Sequence, residues 1–398
     1  MKLSVAANYD PELAPMLAGF PVAEVYGKFP ADPVGGGRPS YMGTPLTRKD
    51  LAAYVQALRD RGIPFNYLLN SSCLGNREWT RRWQRQLLQL LDSLGEMGVG
   101  RLTVATPYLL ERIKQVRPEF YVKAGIFAQI DTPRRARFWQ DLGADALTLE
   151  SFSINRDFEA LKEIRQAVRC ELQLVANHPC LPNCPMQPYH QNGFAHSSNG
   201  SRHLFIDYCF LSCTLQRLED PSMLIKAGWI RPEDTAYYEQ LGYNSFKLIE
   251  RGIPSSEMRK RVEAYARRKS TENLAELILP YGFRQAPKKQ RFWLIRHFLR
   301  PGQISPRTLW SFRRILSEQG TLYAVAENPV RIDSSKIPAD FIRGFENRLC
   351  SRLSCTECRY CEEIAATAVR IEPTFRREQL KRLQGARGKL TGGGAWGV

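Results

Sequence analysis

Histidine is scarce in this chain, with five among 398 residues. Long apolar runs are missing, and none approaches the roughly 20 residues of a membrane-spanning helix. The opening stretch MKLSVAANYDPELAPMLAGF lacks the unbroken apolar segment of a signal peptide, because Asn8, Asp10, Pro11 and Glu12 interrupt it. The chain therefore reads as cytoplasmic, with no membrane span. Familiar hydrolase signatures are absent as well: there is no H-E-x-x-H, no G-x-S-x-G and no Cys–His signature of a thiol protease. The C-x3-C-x2-C of radical S-adenosylmethionine enzymes is missing, and there is no internal repeat.

Positive charge is plentiful. Lys and Arg number 57 against 40 Asp and Glu, a formal net charge of +17. Such a balance favours an anionic partner: RNA or another nucleic acid, a phosphorylated or carboxylated substrate, or a membrane surface. Hydrophobic residues make up 43%, and the length suits one large domain with appendages or two domains.

The first half alternates strand-like and helix-like stretches. Apolar, β-rich runs recur at 2–8, 23–29, 64–70, 101–107, 121–128, 146–151 and 171–178. Helical patterns lie between most of them: 47–62 opens on a capping Thr and closes on Gly, 77–98 carries a stripe of Trp83, Leu87, Leu88, Leu91 and Leu94, and 158–169 is a third. This alternation predicts a parallel sheet with helical crossovers. Seven units, with SRHLFIDY (201–208) as a candidate eighth strand, suit a TIM-like (β/α) barrel, with a doubly wound sheet as the alternative. A helix and strand follow at 229–252, then an amphipathic helix at 255–268. The barrel is expected over 1–270. A basic, cysteine-rich helical extension over 271–398 ends in the Gly-rich LTGGGAWGV.

In a barrel the chemistry gathers at the carboxyl ends of the strands. Those ends read Asn8, Lys28, Asn70, Thr106, Gln129, Glu150 and Asn177–His178. Any one polar residue there is explained as the start of a loop. Seven together point to a polar mouth, and make Lys28, Asn70, Glu150 and His178 candidates for positioning a substrate or moving protons. His178, His190, His196 and His203 crowd one stretch of sequence. His190, with Tyr189, Gln191 and Asn192 beside it, is the preferred functional one among them.

That stretch, 177–213, also concentrates thiols. Eight of ten cysteines fall into two quartets: Cys180, Cys184, Cys209 and Cys213 (C-x3-C…C-x3-C), and Cys350, Cys355, Cys358 and Cys361 (C-x4-C-x2-C-x2-C). In a reducing compartment, cysteines so grouped read as metal ligands rather than disulfides. Four thiolates suit either zinc or an iron–sulfur cluster. The tight second quartet is closer to ferredoxin spacing than to a zinc ribbon, although a zinc-stapled subdomain remains an alternative. Cys170 is expected to be a small buried hydrophobe, and Cys73 a free thiol near the third strand end.

A strand such as ELQLVANH leading directly into cysteines, LTLES at 147–151, and GYNSFKLIERG at 242–252 give residues 2–268 a layout that resembles the peptidase U32 family. The resemblance implies a [4Fe-4S] cluster on Cys180, Cys184, Cys209 and Cys213. It also implies oxygen-independent hydroxylation of RNA pyrimidines or a quinone ring, an oxidoreductase supplied by an electron donor such as ferredoxin. The cysteine spacing and the second quartet depart from the family pattern, which leaves the substrate open. On this reading the second quartet holds a second [4Fe-4S] cluster, as a relay or a structural centre.

A competing reading is a nucleic-acid-binding protein stapled by zinc. Its surface would be the basic stretch 285–314, with Lys288, Lys289, Arg291, Arg313 and Arg314 on phosphates and Trp293 or Trp310 stacked on bases. Residues 370–389 add further positive charge.

Overall fold

Each of the seven apolar runs forms a short parallel strand. They are β1 (Lys2–Ala6), β2 (Val22–Gly27), β3 (Phe65–Leu69), β4 (Arg101–Val104), β5 (Tyr121–Ala124), β6 (Ala146–Thr148) and β7 (Glu171–Val175). An eighth, β8 (Ser245–Lys247), pairs with both β7 and β1 and closes the barrel. The closed ring excludes the doubly wound sheet. The structure is a computed structural model describing residues 1–199, 205–250, 252–279, 328–348, 350 and 352–394. His203, the stretch 285–314 and residues 395–398 lie outside the described residues.

The eighth strand is not at 201–208. Residues 205–207 are irregular there, and Tyr208 opens a helix capped by the Asp207 side chain. The strand 245–247 has a physical reason to be inconspicuous: Ser245 belongs to a polar network inside the barrel and Lys247 lines the cavity at its mouth, so no apolar run marks it.

Helices α1 (Leu13–Met16), α2 (Arg48–Arg59), α3 (Arg81–Glu96), α4 (Pro107–Val116), α5 (Pro133–Asp141) and α6 (Phe158–Ala167) connect the first seven strands. Helix α2 begins with a capping box between Thr47 and Asp50. Helix α3 buries Trp83, Leu87, Leu91 and Leu94, which share one face at helical spacing. Between β7 and β8 the chain makes a longer excursion through α7 (Gln187–Ser197), α8 (Tyr208–Glu219), α9 (Met223–Lys226) and α10 (Thr235–Gln240). Then come α11 (Ser255–Ala266) and α12 (Ala275–Ile278).

Every strand sends one buried polar side chain into a belt: Ser4, Glu24, Asn66, Thr103, Lys123, Thr148, Gln173 and Ser245. Glu24 is its hub. It receives hydrogen bonds from Ser4 (2.6 Å), Asn66 (3.1 Å) and Lys123 (2.8 Å), while Thr103 donates to Asn66. Thr148 donates to Gln173, which donates to Ser245. A fully satisfied network of this kind specifies one packing of the barrel interior.

The extension pairs β9 (Val330–Ile332) antiparallel with β10 (Val369–Ile371). It carries helices α13 (Cys355–Cys358), α14 (Tyr360–Ala368) and α15 (Pro373–Thr391). Phe341 is fully buried and stacks on the barrel's Trp229 with ring centroids 5.4 Å apart. Arg376 fastens α15 to α8 by donating to the carbonyls of Leu218 and Glu219. Arg377, Lys381, Arg387 and Lys389 are exposed on α15. Among the described residues, no helix is long and apolar enough to cross a membrane.

Candidate functional site

The strand ends surround a cavity of about 290 Å3 at the carboxyl face of the barrel. Aromatic rings of Tyr26, Phe127, Phe152, Phe194 and Phe210 form much of its wall. Its polar groups include Arg38, Asn70, His178, Gln187, His190, Gln191, Asp207, Lys247 and Glu250, and Cys180 also lines it. Arg38 pairs with Glu250 at 3.4 Å, and the Lys247 ammonium lies 4.0 Å above the Tyr26 ring.

The sequence-predicted residues separate into two groups. Asn70, His178 and His190 come together on this cavity with Cys180. Lys28 and Glu150 are held elsewhere. Lys28 is buried against Asp32 at 3.0 Å. Glu150 folds back on its own loop, where it accepts hydrogen bonds from the backbone N–H groups of Phe152 and Ser153 and from the Ser153 hydroxyl. Burial raises the Glu150 carboxyl despite these donors. Asn8 and Asn177 likewise serve the scaffold: Asn8 donates to Ile253 and Ser255, and Asn177 ties the end of β7 to Ile249 and Leu277.

His178 follows β7 and joins two elements. Its Nδ1 is 2.5 Å from Ser151 Oγ, on the loop after β6, and its Nε2 is 3.2 Å from Cys180 Sγ. The ring packs on Phe152 at 4.6 Å. Burial, with Arg217 and His190 nearby, pushes the imidazole down to about 3, so it is neutral. His190, on α7, contacts Asp207 at 3.0 Å. The same carboxylate caps α8 through the Phe210 N–H.

Helix α8 carries Cys209, Cys213 and Arg217 at successive four-residue steps, which places them on one face. Arg217 is 3% exposed. Its Nη1 donates to Cys213 Sγ at 3.1 Å and its Nη2 to the Pro179 carbonyl, while its buried Nε has no hydrogen-bond partner among the described residues. The thiols of the first quartet lie in one another's electrostatic field: Cys180 feels Cys213 and Cys184, and Cys209 feels Cys184 and Cys213. Burial raises Cys180, Cys209 and Cys213, Cys209 to about 12; Asp207 adds to the rise at Cys209 and Cys213, neighbouring thiols add to it at all three, and Arg217 opposes it at Cys180 and Cys213.

Among the described residues, no three His, Cys, Asp or Glu side chains stand ready to grip a metal ion. The chemistry of the donor set nonetheless fits a soft metal group: four thiols on two segments that Arg217 ties together, with its buried positive charge available to offset thiolate charge. Sequence reasoning missed Ser151, Asp207 and Arg217. Arg217 left a signal in its four-residue step from Cys213, and Asp207 one as a helix-capping residue two positions before Cys209.

Comparison with known proteins supplies the family. No family model matches the chain. An uncharacterized protease of Methanocaldococcus jannaschii is 32% identical over 255 residues, which span 64% of this chain and 75% of that protein. The chain belongs to the peptidase U32 family. Among solved structures, a U32 peptidase covers 64% of this U32 chain and 93% of its own at 19% identity, with a TM-score of 0.46. A chitinase from Rhizomucor miehei is 12% identical, with a TM-score of 0.35, over 68% of this chain and 100% of its own.

Proposed function

We propose that this U32 protein is an iron–sulfur oxidoreductase. Its [4Fe-4S] cluster would be held by Cys180, Cys184, Cys209 and Cys213, and its substrate would be a planar aromatic ring, either an RNA base or a small anionic aromatic compound. Oxygen-independent hydroxylation is the reaction that the family resemblance implies. The observation that carries the proposal is the cavity wall, where Cys180 and His178 stand among flat aromatic faces and cationic groups. A bound cluster would supply one-electron transfer or an iron site for the substrate.

The chain's own residues account for recognition. Aromatic walls suit a flat ring. Arg38 and Lys247 supply positive charge for an anionic group, and Asn70 and Gln191 offer hydrogen bonds. His190 and Asp207 can hold a proton between them. The neutral His178, buttressed by Ser151, orients toward Cys180 as an outer-sphere partner. The test is anaerobic purification with an absorbance spectrum and iron, zinc and sulfide analysis, followed by mass spectrometry of RNA nucleosides from cells lacking the chain. Iron with matching sulfide and a missing hydroxylated nucleoside support the proposal. Zinc without iron contradicts it.

One observation favours a second reading, peptidase chemistry, which the name of the curated relative suggests: the Cys180–His178 contact pairs a thiol with an imidazole. A nucleophilic cysteine needs a lowered pKa. Burial here drives the thiol up and the imidazole down, leaving both neutral, so this reading ranks second. Peptide hydrolysis abolished by Cys180→Ser in iron-free protein would restore it.

A further inference from the structure

The second quartet lies outside the barrel mouth, and the chemistry proposed there makes no use of it. Its four cysteines occupy twelve residues. Cys350 and Cys361 each lie in the field of Cys355 and Cys358, and Cys361 also in that of Cys350. Along a continuous helix, residues spaced by three drift steadily around the axis. The chain avoids this drift. Helix α13 is a single turn ending at Cys358, Arg359 adopts a left-handed φ of 51°, and α14 starts afresh at Tyr360. A non-glycine residue in that conformation is uncommon, and such strain gathers at ligand-holding turns.

The second, independent observation comes from the barrel. Arg156, on the loop after β6, is 6% exposed. Its Nη1 donates to the Ile225 carbonyl at 2.6 Å and its Nη2 to the Trp229 carbonyl at 3.2 Å, but its buried Nε has no hydrogen-bond partner among the described residues. The guanidinium lies within about 5 Å of the Trp229, Phe341 and Phe345 rings. The carboxylate in its field, Asp234, is already engaged by Arg231 at 2.8 Å. The other groups in the Arg156 field are two thiols, Cys361 and Cys350, and the Tyr238 hydroxyl, which donates to the Asn155 carbonyl. A buried cation with an orphaned N–H and no carboxylate of its own is costly. Ionised thiolates on a metal group would satisfy both deficits. At the first quartet the corresponding cation, Arg217, already donates to a thiol, that of Cys213.

We infer that Cys350, Cys355, Cys358 and Cys361 hold a second iron–sulfur cluster, and that the barrel supplies Arg156 as its hydrogen-bond donor and counter-charge. The C-x2-C-x2-C run from Cys355 to Cys361 matches the first three ligands of the bacterial ferredoxin motif, with Cys350 as the fourth ligand from upstream. A zinc ribbon instead separates two C-x2-C knuckles. The inference stands whether or not the mouth reading holds.

The experiment uses the full chain, prepared anaerobically, as wild type, Cys180→Ser/Cys184→Ser and Cys358→Ser/Cys361→Ser. Iron and sulfide are counted, and reduced samples are examined by electron paramagnetic resonance. The expected result is about eight irons in the wild type and about four in each variant, with two distinguishable reduced signals. If only Cys358→Ser/Cys361→Ser loses iron, the second centre stands and the mouth reading fails. If that variant keeps all its iron, or loses zinc instead, the second iron–sulfur centre is refuted. Because a double variant could misfold, Arg156→Met provides an independent readout. It should move one of the two reduction potentials to a more negative value and leave the other in place. Two unmoved potentials would remove Arg156 from the cluster's surroundings.

Discussion

Arg217 donates to Cys213 across 3.1 Å from one helical turn further along the same face of α8. Its other nitrogen reaches the Pro179 carbonyl, next to Cys180, so a single guanidinium joins the two chain segments that bear the first quartet. If the proposed metal group is bound there, Arg217→Met should lower its retention about 10- to 100-fold, the usual cost of losing an outer-sphere partner. Arg217→Lys should recover part of it by restoring charge without the forked geometry. Iron retained after exhaustive buffer exchange is the measurement, and equal retention in all three proteins would assign Arg217 a packing role.

Asp207 has two duties that substitution can separate. Asn caps a helix about as well as Asp, whereas Ala costs about 1 kcal/mol. Asp207→Asn should therefore keep the wild-type melting temperature, and Asp207→Ala should lower it. If holding His190 is what matters for turnover, both variants should lose activity on the enzyme's substrate to a similar extent, about tenfold or more. Full activity in Asp207→Asn would show that the carboxylate contact with His190 is dispensable.

The polar belt makes a prediction about acid stability. Burial pushes the Glu24 carboxyl up, but Lys123 at 2.8 Å, with hydrogen bonds from Ser4 and Asn66, overrides burial and holds it at about 2, below its ordinary 4.5. A carboxylate depressed on folding stabilises the fold fully above its unfolded value, and that contribution is lost as pH falls from about 5 through about 2. Glu24→Gln removes this dependence and leaves Lys123 buried without its partner, a loss of about 3 kcal/mol at neutral pH. Urea unfolding of both proteins across pH 2–7 tests this. Parallel stability curves would contradict it.

Phe341 should be the hinge pin of the extension. It lies between Trp229 and Tyr360 at 5.4 and 6.0 Å and is fully buried. Phe341→Ala should cost about 3–5 kcal/mol locally and speed hydrogen exchange in α14 while leaving β1–β7 protected. Uniform loss of protection would show that barrel and extension unfold together.

The barrel was legible because buried parallel strands are written as apolar runs, and seven of them stand out between helical stripes. The eighth strand was not legible. Ser245 belongs to the polar network inside the barrel and Lys247 lines the cavity at its mouth, leaving Phe246 alone to mark it, whereas Phe205, in the run that imitated it, packs on Phe194 at 5.2 Å. Cysteines announced themselves by spacing. Glu150 did not announce that it would cap its own loop, since the donors it uses come from the turn that follows. Ser151 and Arg156 are brought to the cysteines only by tertiary folding, and nothing in their local sequence distinguishes them.

The central claim is one iron–sulfur centre on Cys180, Cys184, Cys209 and Cys213 at the barrel mouth. It is tested most directly by iron and acid-labile sulfide per chain in anaerobically prepared wild type against Cys180→Ser. The account predicts equal iron and sulfide in the wild type and the loss of one cluster's worth of both, about four irons, in the variant. A wild type that carries zinc but no iron, or a Cys180→Ser protein with undiminished iron, would contradict it.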